Sequence, residues 1–193
     1  MGKLLIALAS LVFVAACSIG TRPPADLENA CSILRDRPSY ASAMTRTAQR
    51  WGVPIAVQMS VIYYESKFVR NAKPPRKKIL GLIPGKRVSS AKGYSQALDG
   101  TWDEYRDDTG NRLASRTSIR DATDFMGWYM AESEERLGIP LTDARRQYLA
   151  YHEGRGGYAR GSYRAKSWLM GVANNVETRA IMYDRQLKSC RRA

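Results

Sequence analysis

One carboxylate in this chain sits where losing its proton is unfavourable. Glu65 follows the run Val53 to Tyr64, apolar at most positions, with Pro54 suited to a first helical turn. Ile55, Met59 and Ile62 form one stripe at helical spacing. Ala56, Val57 and Tyr63 widen it, so the segment reads as a helix buried on most sides. A carboxylate at the C-terminal end of such a helix meets poor solvation and the negative end of the helix dipole, and both disfavour its charge. It stays protonated at higher pH than a surface glutamate does, as a general acid must. The plainer alternative is an amphipathic helix ending in a solvated glutamate, with Ser66 as a C-terminal cap.

Two later segments add to this carboxylate: Gly93-Tyr94-Ser95-Gln96 and Ala150-Tyr151-His152-Glu153-Gly154. With Glu65-Ser66 ahead of them, they resemble the catalytic domain of lytic transglycosylases, the lysozyme-like family that cleaves peptidoglycan glycan strands. That family's pattern is Glu-Ser, then a GLMQ-like segment, then an AYNAG-like segment. The resemblance runs roughly from Tyr40 to Leu187. It implies Glu65 as the catalytic residue, with Ser66, Gly93, Tyr94, Gln96, Tyr151 and His152 at substrate-binding positions. Ser66 would bond near the substrate acetamido group or hold the glutamate's turn. Gln96 would line the cleft, Gly93 would allow close backbone approach, and Tyr151 would orient Glu65 or the acetamido group.

This chain also departs from the pattern. His152 and Glu153 replace an asparagine and an alanine, and only Gly93 and Gln96 survive from the GLMQ-like segment. Glu177-Thr178-Arg179 resembles a family segment that continues into a tyrosine, but Ile181 holds the aligned place, which leaves Tyr183 as the substitute. Glu153 reads either as a second catalytic carboxylate or as half of a salt bridge. Tyr94, Tyr158 and Trp168 are sugar-stacking platforms or core.

The resemblance implies a single-acid reaction. Glu65 protonates the oxygen between muramic acid and glucosamine, the substrate acetamido group stabilises the anomeric carbon, and the 6-hydroxyl closes to a 1,6-anhydro end. No metal or organic cofactor is called for, and a lone histidine without clustered cysteines makes no zinc site. Two alternatives share the fold: a lysozyme-type muramidase that activates water, with Asp99 or Glu153 as base, and a glycan-binding or scaffold protein without catalysis.

The elements that must position these residues are helices. Pro38 to Trp51 is expected as one, stopped by Gly52. Thr101-Trp102-Asp103-Glu104 is a capping box for another that Gly110 ends. Ser118 caps a third, whose buried face is Ala122, Phe125, Met126, Tyr129 and Met130 and whose stop is Gly138. Thr142 to Tyr151 and Ser167 to Lys188 supply more. Strand-like residues occur only in short pieces near Ile79 to Val88. The expected fold is all-α, a lysozyme-like single domain over residues 31–193.

The chain ends carry other signals. Residues 1–16 read as a lipoprotein signal peptide: Lys3, then an apolar run from Leu4 to Val14 shorter than the roughly 20 residues a spanning helix needs. Val14-Ala15-Ala16-Cys17 looks like a lipobox, which implies a lipid on Cys17 and a membrane anchor; an ordinary secretory signal is the alternative. Ser18 in place of aspartate favours an outer-membrane lipoprotein facing the periplasm. Residues 17–30 follow as a tether. Cys31 and Cys190 allow one intramolecular disulfide or two free thiols. The net charge of +13 suits a polyanionic partner. An exported chain without a nucleic-acid motif points to peptidoglycan and anionic lipid, not nucleic acid. The basic stretch from Arg70 to Arg87 belongs to that balance or is merely a solvated loop.

Overall fold

Helix α3, Ile55–Ser66, is the pillar around which the other helices assemble. In a computed structural model, residues 22–79 and 83–190 are described. The leader 1–16 and Cys17 lie outside them. Every side chain from Ala56 to Ile62 is buried, because the segment offers no polar face to water. Its polar members are satisfied internally. Gln58 Nε2 donates to the carbonyls of Met44 (3.0 Å) and Val53 (2.9 Å), and Ser60 Oγ to that of Val57 (2.9 Å).

Around α3 stand α1 (Ala30–Asp36), α2 (Pro38–Trp51), α4 (Asp99–Thr109), α5 (Ile119–Leu137), α6 (Ala144–Glu153), α7 (Arg155–Ala159) and α8 (Ser167–Cys190). Helix α3 packs chiefly on α8, with α2, α5 and α6 closing the remaining sides, while α2 lies along α5. Trp102 and Tyr105 of α4 meet Phe125 and Trp128 of α5 with ring centroids 5.2 to 5.7 Å apart. Strands β1 (Arg76–Ile79) and β2 (Ile83–Arg87) form an antiparallel hairpin, the only sheet among the described residues. The fold is thus the expected all-α, lysozyme-like single domain.

Helices α2 and α5 begin and end as expected, the latter capped by Ser118, whose side chain accepts from Asp121 N. Two others start elsewhere. Helix α4 opens at Asp99, two residues before the Thr101 capping box, because the Ser90 hydroxyl accepts the Asp99 N–H (3.1 Å). Helix α6 opens at Ala144, since Asp143 takes the cap by accepting from Arg146 N (2.8 Å). Helices α1 and α7 are too short to show a period in sequence.

The two ends of the domain are joined. Cys31 in α1 and Cys190 at the end of α8 form a disulfide, with Cα atoms 6.1 Å apart. The tether expected over 17–30 needs correction for its described part. Pro24 is buried, the Tyr183 hydroxyl donates to the Leu27 carbonyl, and Arg179 pairs with Glu28 at 3.0 Å. Gln186 donates to the Glu28 carbonyl (2.9 Å) and accepts from Ala30 N (2.8 Å). This segment is docked on α8, not loose.

Candidate active site

The chain reverses direction sharply just after Glu65. Lys67 and Phe68 both have positive φ, 51° and 58°, and the only other non-glycine residue of that kind among the described residues is Gln96 at 50°. Such conformations cost of order 1–3 kcal/mol each and persist where the surroundings over-determine them. Here Phe68 is fully buried and stacks on Tyr40 (5.9 Å between centroids), which pins the turn. The strained positions are therefore confined to the turn behind Glu65 and to the loop facing it.

Glu65 opens into a groove of about 390 Å³. One wall is the loop region of Pro74, Ser89, Ala91, Gln96 and Leu98; the other is Tyr129 of α5 with Tyr151, His152 and Glu153 of α6. Loss of water around the Glu65 carboxyl is the main effect on its acidity and pushes it up from 4.5 to about 7. The Tyr148 hydroxyl beside it pulls part of the way back. Tyr148 lies one helical turn before Tyr151 on α6 and is itself pushed up by burial and by Glu65.

Gln96 is held hard. Its Nε2 donates to the carbonyls of Gly93 (2.7 Å) and Ala72 (3.1 Å), leaving its amide oxygen without a described donor. Tyr151 donates its hydroxyl to the Ser95 carbonyl (2.6 Å), so helix α6 and the Gly93-to-Gln96 loop are clamped across the groove. His152 sets its ring edge-on to Trp168 (5.2 Å), which is 58% exposed.

The sequence of this grooved helical domain decides its affiliation: a family model described as the transglycosylase SLT domain matches residues 5–190. The chain belongs to that family. Its activity is therefore of the lytic-transglycosylase type, directed at peptidoglycan in the bacterial cell envelope. No curated protein matches the chain.

Within this transglycosylase domain the residues expected at the site divide into two sets. Glu65, Gln96, Tyr151, His152 and Glu153 all line the groove. Ser66, Gly93 and Tyr94 are not among the residues that line the groove. Ser66 is buried and donates back to the Ile62 carbonyl (3.2 Å). Gly93, at φ 77°, approaches the Arg116 backbone so closely that an added Cβ would lie 1.9 Å from its carbonyl oxygen. The close approach that Gly93 makes possible here is to the Arg116 backbone. Tyr94 is core, edge-on to Tyr40 with the two hydroxyls 3.1 Å apart.

Glu153 resolves toward the salt bridge. Lys166 reaches it at 2.7 Å, the Ser162 hydroxyl donates to it, and His152 Nδ1 lies 3.3 Å away. These partners, Lys166 first, hold its carboxyl down at about 2, permanently charged and occupied. Tyr183 does not replace the tyrosine of the Glu-Thr-Arg segment at the groove, for it is fully buried under Leu27. Tyr158 stacks on Tyr163 (5.1 Å), leaving Trp168 as the exposed member of the three aromatic candidates. Tyr148 is the residue sequence reasoning missed. Its three-residue spacing from Tyr151 was the available signal.

Proposed function

We propose that the chain is a peptidoglycan lytic transglycosylase that uses Glu65 as its single acid and base and leaves 1,6-anhydro muramic acid at the cut. The observation that supports this reading is the desolvated Glu65 carboxyl, protonated up to about pH 7, in a groove whose other carboxylate, Glu153, is already engaged by Lys166. In the first step the Glu65 proton passes to the glycosidic oxygen as the bond from that oxygen to the muramic acid anomeric carbon breaks. The acetamido group of the same sugar stabilises that carbon from the opposite face. In the second step the Glu65 carboxylate takes the proton of the 6-hydroxyl, whose oxygen bonds to the anomeric carbon. The proton lost in step one returns in step two, and no water is consumed. Gln96 and Tyr151 shape the groove through the loop they clamp, and His152 with Trp168 offers an aromatic edge for a sugar ring.

A water-activating muramidase needs a free base on the opposite sugar face. Neither candidate is free for that role: Glu153 is held by Lys166 at 2.7 Å, and Asp99 pairs with Arg116 at 2.6 Å. Digestion of purified sacculi in heavy-oxygen water separates the two reactions. Unlabelled anhydro-muropeptides that resist borohydride are expected; labelled, reducible muramic acid as the main product would overturn the reading. Glu65→Gln is expected to lower the rate by at least about 100-fold while the fold survives, because the amide can neither give nor take the proton.

The proposal extends to location. Residues 1–16 act as the signal peptide, Cys17 carries the lipid, and the domain from residue 31 faces the periplasm from the outer membrane. Metabolic labelling with a fatty acid should mark the mature protein and fail in Cys17→Ala.

A further inference from the structure

The hairpin beside the groove carries an excess of positive charge that no acid among the described residues pairs with. Residues 70–92 contain eight lysines and arginines and no acid, against +13 for the whole chain. None of Arg70, Lys73, Arg76, Lys77, Lys86, Arg87 and Lys92 belongs to any ion pair among the described residues. Arg76 of β1 lies directly opposite Arg87 of β2. Like charges facing each other across a strand pair weaken it. An isolated two-stranded hairpin is marginal in water to begin with, and neither strand packs substantially on a helix. The like charges are thus concentrated on the element least able to tolerate them.

Its placement supplies the reason. The hairpin springs from the wall of the groove: Pro74 on one side of it and Ser89 and Ala91 on the other line the same cavity as Glu65. Its base is fastened there, by Arg87 Nη1 to the Pro74 carbonyl (2.6 Å), Val88 N to that of Pro75 (3.2 Å), and Gln96 Nε2 and Gly93 N to that of Ala72 (3.1 and 2.9 Å). A polymer lying in the groove would therefore run beside the base of a cationic arm.

We propose that this arm, with Arg76, Lys77, Lys86 and Arg87 at its centre, binds the carboxylates of the peptide branches carried by the glycan strand, so that branched, anionic strands are selected over bare ones. The inference rests on the functional reading above for the polymer in the groove, but not on the product formed. Electrostatic attraction of exposed, flexible cations gives preference more than tight affinity, and it is screened within a Debye length of about 8 Å at physiological salt.

Binding decides the matter in a Glu65→Gln background, where turnover plays no part. Co-sedimentation is measured with intact sacculi, with sacculi stripped of peptides by an amidase, and with vesicles containing anionic phospholipid. The intact arm is expected to favour intact over stripped sacculi by on the order of tenfold, a ratio that shrinks as salt rises. In R76Q/K77Q/K86Q/R87Q the ratio should fall to near one, and in R76K/R87K, which keeps the charge, it should persist. A ratio near one in the parent, an undiminished ratio in the glutamine variant, or loss only of vesicle binding would each overturn the proposal, the last in favour of a lipid surface. Products from protein with Glu65 intact are read separately. A reducing product would sink the transglycosylation reading and leave the binding ratio untouched.

Discussion

Glu65 keeps a proton in a pH range where an exposed glutamate has lost it, with a consequence for stability as well as for catalysis. Between about pH 4.5 and 7 the folded chain holds this proton and the unfolded chain does not, so stability falls as pH rises through that window, and the deficit remains above it. Glu65→Gln removes the charge that burial opposes. The variant should gain on its parent by roughly 1–3 kcal/mol at pH 8 and by much less at pH 4. Urea midpoints at the two pH values check this, and a gain independent of pH would mean that the carboxyl is well solvated. Activity, which starts from the protonated acid, should decline above about pH 7. Because the Tyr148 hydroxyl favours the carboxylate form, Tyr148→Phe should move that decline to higher pH. The environment of Glu65 was legible in the apolar run before it. Tyr148 was not, since a tyrosine at helical spacing reads equally as core until the helices are packed.

Strain and capping belong to the scale of the element. The loop from Gly93 to Gln96 holds its shape because Gly93 adopts a left-handed conformation against the Arg116 carbonyl. Gly93→Ala meets both obstacles and should cost about 3 kcal/mol or more, with loss of activity as the loop shifts. Gly100, in the first turn of α4, has open space where a Cβ would go, so Gly100→Ala should leave the thermal midpoint nearly unchanged or raise it. Equal effects at the two positions would contradict the packing described. Periodicity and stop signals made α2, α3 and α5 readable because their information lies within one turn of each helix end. The start of α4 escaped because its first N–H is taken by Ser90, a residue outside the helix. Gly93 was likewise readable as a backbone position needing freedom, but not what would approach it.

On the scale of the whole molecule, the Cys31–Cys190 bridge closes almost the entire domain, with a sequence separation of 159 between its ends. Opening so long a loop in the unfolded state favours unfolding, and Cys31→Ser should cost roughly 2–5 kcal/mol. Denaturant titration of the oxidised parent and the variant checks this; coincident curves would mean that the bridge only decorates a contact already made by α1 and α8. With Cys17 assigned to the lipid in the sequence reading, the two remaining cysteines left only one intramolecular pairing available. The docking of residues 24–30 was beyond such a count, because the groups that hold it, Arg179, Tyr183 and Gln186, lie some 150 positions away.

That docking sets a working radius. If the lipid proposed on Cys17 holds the chain to a bilayer, then with Pro24 and Leu27 already fixed against the domain, the leash is only the few residues from Cys17 to Pro24, at most ~25 Å even fully extended. Such a protein patrols a thin shell beside its membrane and meets only the face of the wall turned toward it. Layers farther out lie beyond its reach unless the wall itself comes closer.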